Sequence, residues 1–469
     1  MTSRDVDFAQ WYTDVVKKAE LIDYSSLKGF VILRPYAYAI WENIQSILDG
    51  KFKATGHENV YMPLLIPESL LQREKDLVEG FAPEVAWVTH GGSEPLAERL
   101  CIRPTSETLF CEHYKNVVHS WRDLPKKYNQ WCSVVRWEKT TRPFLRHREF
   151  LWQEGHTIHA TSEEAMDEVV SMLHVYADFC EDYLAMPVLR GQKTESEKFP
   201  GADSTFAIEC MMHDGRGLQA GTTHYFADVF SKAFDIQFAD KDNALKNPFQ
   251  TSWGLSTRLM GGIIMTHGDD NGLILPPRVA PTQVTIVPAA MHKPGVLDKA
   301  SEVLEILKSA GLRAKLDASD QSPGWKFAEH EMKGVPLRLE IGPRDIAAGV
   351  CVLVRRDTGE KITTSLEGLA AEIVRLLDNI HDNMLKRARD NMEARTTIAA
   401  SFEELKANAQ RQIGFVKAAW CGDAACEERV KDETGMKSRC IPFNEESAGD
   451  TCVCCGKPAS KTVVFGLQY

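Results

Sequence analysis

SVVRWEKTTRPFLRHREFLWQEGH, residues Ser133–His156, is the stretch whose reading decides the fold. Its two apolar ends, separated by a polar, Pro-containing segment, predict a β-hairpin. Along a strand alternate side chains share a face, so Arg136 and Glu138 fall together on the outgoing limb. Arg146, Arg148, Phe150, Trp152 and Glu154 fall together on the return. That face carries three arginines, two carboxylates and two aromatic rings. Guanidinium forks bind phosphate oxygens bidentately and an aromatic ring stacks on a base, so the combination suits a nucleotide. An isolated Arg-x-Glu is ordinarily a solvated face held by salt bridges, so other segments have to weigh on the choice.

RPTSET, Arg103–Thr108, sets Thr105 and Glu107 two apart at a predicted strand-to-helix transition, where a carboxylate and a hydroxyl receive an ammonium group. The same spacing is also a helix-capping pattern. Bulk properties narrow the class further. The chain has 469 residues, 43% apolar and 26% charged, which predicts two to four soluble domains. No run approaches the roughly eighteen apolar residues of a membrane span, and MTSRDVDFAQWY has neither the basic nor the apolar region of a secretory signal. A cytoplasmic protein is expected. The net charge of -11 argues against indiscriminate binding of DNA or RNA, so any RNA contact needs local basic faces.

Phe8, Trp11, Tyr12, Val15, Ala19 and Ile22 recur at helical spacing behind Asp5 and Asp7. A second helix is predicted from Arg34-Pro35 to Gly56, burying Ile40, Ile44, Ile47 and Leu48, followed by an extended run from Val60 to Ile66. Short β-rich segments with the turn signals GGSEP, KFPGAD and HDGRG continue to Arg278 and predict a largely antiparallel sheet with helices. Beyond LPPR, Leu275–Arg278, strand and helix patterns alternate through GVCVLVRR and predict an α/β domain with a parallel or mixed sheet. From Thr364 to Phe415, Leu, Ala, Glu, Lys and Arg dominate, as in long solvated helices. The expected multidomain α/β architecture divides at 1–278, 279–385 and 386–469.

Six of the twelve cysteines lie in the last fifty residues. WCGDAAC supplies Cys421 and Cys426, and TCVCCGKPA supplies Cys452, Cys454 and Cys455. Two such pairs suit tetrahedral thiolate coordination of structural Zn²⁺. Cys454 competes with Cys455, which is favoured because it directly precedes Gly-Lys. A metal-free cluster of reduced thiols is the alternative.

Taken together, these segments resemble the class II aminoacyl-tRNA synthetases, specifically the prolyl enzymes of archaeal and eukaryotic type, from about Phe8 to Tyr469. GHENVYMPLLIP, with Pro63, is similar to motif 1, RWE through RHREFLWQE to motif 2, and WGLSTRLMGG to motif 3. RPTSET, KTESEKFPGAD and GLQAGTTHYF match the prolyl pattern. The resemblance implies an antiparallel-sheet catalytic domain, an α/β anticodon-binding domain and a small C-terminal zinc-type domain. The implied activity is proline-tRNA ligation: ATP activates L-proline as prolyl-adenylate, which is then transferred to tRNA(Pro). Arg136 and Arg258 are the implied catalytic residues, gripping the α- and γ-phosphates. Phe150, Glu138, Arg146 and His147 are implied at adenine, with Gln219, Thr222 and Ser256 around ribose and phosphates. Thr105, Glu107, Trp152, Glu154, His156, Phe199, His224 and Phe81 are implied around proline, with Arg136 also at its carboxylate. His156 and His224, taken alone, are more often structural histidines. The resemblance also implies Mg²⁺ with the nucleotide, Glu209 being its candidate ligand, and a homodimer formed through motif 1. Lys326, Glu340 and Arg344, from GWKFAEHEMKGVPLRLEIGPRD, are the candidate anticodon contacts, surface salt bridges being the competing reading. Tyr469 is implied to dock towards the catalytic domain.

Two other functions compete. A synthetase for threonine, histidine or glycine is disfavoured by the prolyl segments and by the lack of a metal-binding set in the amino-acid pocket. A catalytically dead, tRNA-binding regulator is disfavoured because Arg136, Arg146 and Arg258 are all retained. GMKSR, Gly435–Arg439, only echoes the signature loop of unrelated class I enzymes, and there is no GxxxxGK[ST] phosphate loop. About a hundred residues separate motifs 2 and 3, too few for an inserted editing domain.

Overall fold

The hairpin forms, with a longer loop than alternation suggests. Lys126–Val135 pairs antiparallel with Glu149–His159, placing Val135 opposite Glu149, Gln130 opposite Glu154 and Tyr128 opposite His156. The computed structural model describes residues 1–73, 85–411, 413–443, 448–459 and 461–469. Arg136, Glu138, Arg146 and Arg148 lie in the connecting loop, where the Arg136 amide donates to the Arg148 carbonyl at 2.8 Å. Arg148 departs from the expected face. Its guanidinium lies 4.4 Å from the centre of the Trp137 ring and donates to the carbonyls of Glu138 and Lys28.

Around the hairpin, the described residues build an eleven-stranded sheet. Val188–Gln192, Ser204–Met211, Gly217–Tyr225, Phe249–Ser256 and the two hairpin limbs follow one another antiparallel. One face is covered by helix Ser162–Leu184, which Thr161 caps through the Glu164 amide and a left-handed Ala185 ends. Its apolar stripe of Val169, Met172, Leu173 and Tyr176 is buried, and the Tyr176 hydroxyl donates to Gln153 Oε1 at 2.6 Å. The expected N-terminal helices are Phe8–Lys18, capped by Asp7, and Pro35–Ala54. Trp11, Tyr12, Ile40, Ile44 and Leu48 join the same core, while Ile47 is only partly buried. The extended run from Val60 is shorter than expected. Only Leu65–Pro67 forms a strand, pairing with Glu94–Ile102 in a separate three-stranded sheet.

The α/β segment carries a mixed sheet. Ala314–Leu316, Val284–Pro288 and Leu337–Ile341 are parallel, and Val350–Arg355 and Lys361–Ser365 continue it antiparallel. Helix Leu369–Ala394 is not solvated all round: Leu369, Ile373, Leu376, Leu377, Ile380 and Met384 form a buried stripe on this core. The expected helical run is then interrupted by strand Thr396–Ala399, parallel to Phe415–Trp420. Among the described residues no helix is long and apolar enough to cross a membrane.

The C-terminal strands do not stand apart. Strand Lys437–Pro442 pairs Ile441 with Gln192 and Pro442 with Gly191, so the C-terminal sheet continues the large one. At Gly191 a Cβ would meet the Ile441 carbonyl at 2.4 Å, so this approach requires glycine. A register shift between Ser438 and Cys440 aims Arg439 into the junction. There Glu209, with no exposure to solvent, accepts from Lys193 Nζ at 2.8 Å and from Arg439 Nη2 at 2.5 Å and Nε at 3.0 Å. Arg439 also donates to Gln468, and the Tyr469 ring lies 5.5 Å from the guanidinium carbons of both Arg142 and Arg216.

Removing one member of a buried ion cluster leaves charge without its partner. Arg439→Met is expected to cost on the order of 3 kcal/mol. Urea denaturation followed by tryptophan fluorescence checks this, and an unchanged midpoint would show that the cluster contributes little.

Candidate functional site

The exposed face of the antiparallel sheet is the floor of a cavity of about 370 Å³. Sixteen of the expected residues line it: Thr105, Glu107, Arg136, Glu138, Arg146, His147, Phe150, Trp152, Glu154, His156, Phe199, Gln219, Thr222, His224, Ser256 and Arg258. Phe81 lies outside the described residues.

One end is small, aromatic and acidic. Glu154 accepts from Gln130 Nε2 at 2.6 Å, Ser106 Oγ at 2.5 Å, the Ser106 amide at 3.2 Å and His156 Nε2 at 2.8 Å. Burial opposes ionisation of Glu154, but His156, Ser106 and Gln130 outweigh it and hold the carboxyl below its ordinary range. Glu107 accepts from Thr105 Oγ1 and, at 3.3 Å, from Ser252 Oγ. His156 stacks on Phe110 at 4.1 Å between ring centres. His224 shares hydrogen bonds with Thr205 through Nδ1 and Thr222 through Nε2, and Phe199 lies 4.5 Å from it. Burial, with the neighbouring charges of His156 and Arg136, drives the His224 pKa down to about 3, so it is neutral at pH 7. A compact cation with apolar sides fits here.

The other end is cationic. Arg136 donates through Nε to the Pro104 carbonyl at 3.0 Å, and its guanidinium carbon sits 5.6 Å from the centre of Phe150 and 5.4 Å from that of Trp152. Arg146 pairs with Glu138 at 3.4 Å. Arg258 opens helix Arg258–His267 at the end of strand Phe249–Ser256, its amide bound to Ser256 Oγ and its Nε to the Leu145 carbonyl. Burial, joined by the like charges of Arg146 and Arg136, lowers the Arg258 pKa to about 10. Clustered, partly dehydrated guanidiniums are stabilised by phosphate oxygens. His147 is less available than its position suggests: it is buried, lowered to about 4 by desolvation, and its Nε2 accepts from the Phe144 amide. Glu209 is held by Lys193 and Arg439 and is not among the cavity residues, so the expected magnesium ligand is a structural carboxylate.

Ser106, Gln130, Thr205 and Ser252 were not singled out in the sequence. For three of them the signal lies in pairing register, which sets Gln130 opposite Glu154, Ser252 opposite His156 and Thr205 opposite His224. In the α/β segment, Lys326 is buried and donates to the Asp317 carbonyl at 2.9 Å, which withdraws it from the expected contact with a base. Glu340 accepts from Arg338 at 2.8 Å. Arg344 is exposed, in the first turn of Pro343–Ala348.

The Sγ atoms of Cys421, Cys426, Cys452 and Cys455 lie within 4.8 Å of one another, Cys421 being 3.8 Å from Cys426 and 3.7 Å from Cys455. Zn–S bonds of about 2.3 Å in a tetrahedron put sulfurs about 3.8 Å apart, so the four thiols fit a zinc ion. The Cys454 thiol turns away to the Cys426 carbonyl at 3.4 Å.

Family models match along the chain: the tRNA synthetase class II core domain (G, H, P, S and T) at residues 87–267, the anticodon binding domain at 283–376 and the prolyl-tRNA synthetase C-terminal domain at 402–469. Curated relatives align over all 469 residues and 98% of their own length. They include a proline-tRNA ligase of Clostridium novyi (strain NT) at 62% identity, one of Lachnospira eligens at 62% and a proline-tRNA ligase 2 of Bacillus cereus (strain ZK / E33L) at 61%. With its sheet, its bipolar cavity and its full length matched in this way, the chain belongs to the proline-tRNA ligase family of class II tRNA synthetases.

Proposed function

We infer that the protein charges tRNA(Pro) with proline in two steps at this cavity. The observation that carries the reading is the cavity's polarity, a small aromatic and acidic end joined to an arginine-rich end. Thr105, Glu107 and Glu154 receive the secondary ammonium of proline, and Trp152, His156, Phe199 and His224 enclose its ring. Phe150 stacks on adenine, with Glu138, Arg146 and the backbone at His147 at its edge. Gln219, Thr222 and Ser256 hold ribose and phosphate oxygens. The proline carboxylate attacks the α-phosphorus, the bond to the β-phosphate oxygen breaks, and pyrophosphate leaves. The tRNA 3′ hydroxyl then attacks the adenylate carbonyl and displaces AMP. Arg136 and Arg258 act by positioning and by stabilising charge that grows on the phosphates.

ATP would enter as its magnesium complex, the ion resting mainly on phosphate oxygens with few protein ligands. When bound, the ion draws charge from the departing pyrophosphate. We assign 1–278 to catalysis, 279–385 to the anticodon, through Arg344 and, on release from Arg338, Glu340, and 386–469 to a zinc-stabilised tail. Exposed Tyr61, Leu64 and Leu65 in the motif 1 segment support a homodimer there. The cytoplasm is the compartment where tRNA charging serves translation.

Exchange of labelled pyrophosphate into ATP, run with each of the twenty amino acids, tests the reaction. Proline is expected to support it best, and a different preferred amino acid would refute the substrate. Arg258→Ala and Arg136→Ala are each expected to lower kcat about 10²- to 10³-fold, by analogy with removal of a preorganised charge-stabilising donor. Elemental analysis is expected to find one zinc per chain, lost in Cys455→Ser and kept in Cys454→Ser; the reverse pattern would exchange the two ligands.

A further inference from the structure

The loop that carries Phe199 is fastened from outside the strands it connects. Glu197, Lys198, Phe199 and Pro200 form part of the cavity wall. From Lys193 to Glu197, the chain reaches repeatedly into the C-terminal segment. Lys193 Nζ donates to the Arg439 carbonyl at 2.7 Å, and Glu197 pairs with Lys437 at 3.0 Å. Thr194 Oγ1 donates to Glu427 Oε1 at 2.8 Å, and Ser196 Oγ to Glu427 Oε2 at 2.6 Å. Ser438 Oγ also donates to Glu427. Glu427 is buried, and both its oxygens are engaged by hydroxyls, two of them from this loop.

A buried carboxylate needs such donors, and each hydroxyl is held where the carboxylate can reach it. Glu427 sits in helix Ala424–Thr434, whose first turn contains Cys426 of the thiol cluster, so its position is fixed by the C-terminal fold. On the cavity side, the Phe199 amide donates to Thr205 Oγ1, the same oxygen that shares a hydrogen bond with His224 Nδ1. The placement of the loop therefore sets both the Phe199 wall and the ring beside it. Among the described residues, the Glu427 carboxylate is bound by Thr194, Ser196 and Ser438 and not by the arginines of the nucleotide end.

We propose that Glu427 is a positioning residue for the amino-acid end of the cavity, clamping the Lys193–Asp203 loop so that Phe199 closes on the substrate ring. The proposal rests on reading that end as the proline site. Releasing the clamp weakens capture of the amino acid and leaves the nucleotide end in place.

The test is pyrophosphate-exchange kinetics on the full-length enzyme, varying proline at saturating ATP and then ATP at saturating proline. Glu427→Gln, and separately the loop-side pair Thr194→Val with Ser196→Ala, are expected to raise KM for proline about 5- to 30-fold, the equivalent of one or two hydrogen bonds. KM for ATP should stay within about twofold. Combining all three substitutions should raise KM for proline no further, since both sets break the same contacts. The loop-side pair leaves every C-terminal residue intact, so it carries the test even where Glu427→Gln folds poorly. Unchanged KM for proline in the loop-side pair, or equal rises for proline and ATP, would overturn the clamp. Should the unmodified enzyme prefer another amino acid, the proline reading fails, and the same KM comparison with that amino acid still decides the clamp.

Discussion

A carboxylate can remain charged inside a sheet only if donors surround it, and Glu154 imposes that demand on much of its surroundings. Its register partner Gln130, the Ser106 hydroxyl and amide on the neighbouring turn, and His156 two residues along the strand all turn towards it. Each of these commitments fixes something else. Ser106 precedes the helix that begins at Glu107, so anchoring it presents Thr105 and Glu107 to the cavity. His156, held at its nitrogen, lies flat on Phe110 and shapes the pocket wall. The cost of burying one charge is thus spread over backbone and side chains of three segments, and their geometry becomes that of the pocket.

The opposite end of the cavity applies the reverse constraint. Arg136, Arg146 and Arg258 repel one another when partly dehydrated, and carbonyls of Pro104, Leu145 and Gln219 offset part of that repulsion. Phosphate oxygens among such guanidinium groups would relieve that repulsion, so attraction for anions is built into this end of the cavity. The two ends share the strand Glu149–His159, which carries Phe150 towards one and Glu154 and His156 towards the other. An ammonium group and a polyphosphate thereby suit opposite ends of one cavity.

How much of this was legible in the sequence follows from how local each signal is. Phe150, Trp152, Glu154 and His156 obey period-two alternation within a contiguous segment, and the structure places all four on the cavity. Arg148 broke the pattern because its backbone belongs to a loop, where alternation no longer dictates direction. Ser252 and Thr205 were invisible, since their relevance comes from strands paired across the sheet. Lys326 reads as a solvent-facing helix residue, yet the Asp317 carbonyl draws it inward. Thr396–Ala399 is too short, and too closely flanked by helices, to stand out as a strand. Glu427 is harder still: nothing local in AACEERVKDET marks it, and only a contact with residues more than two hundred positions earlier gives it meaning.

The pairing of Ile441 and Pro442 with Gln192 and Gly191 bears on solubility as well as on architecture. Strand Val188–Gln192 would otherwise be the outer edge of a broad antiparallel sheet, with main-chain donors and acceptors open to any extended peptide. The C-terminal strand occupies that edge and passes it on to Thr396–Ala399, a four-residue strand at the far margin of the sheet. The tail therefore protects a long apolar sheet from its own kind, and a chain released before its last strands are made would carry an open template for aggregation.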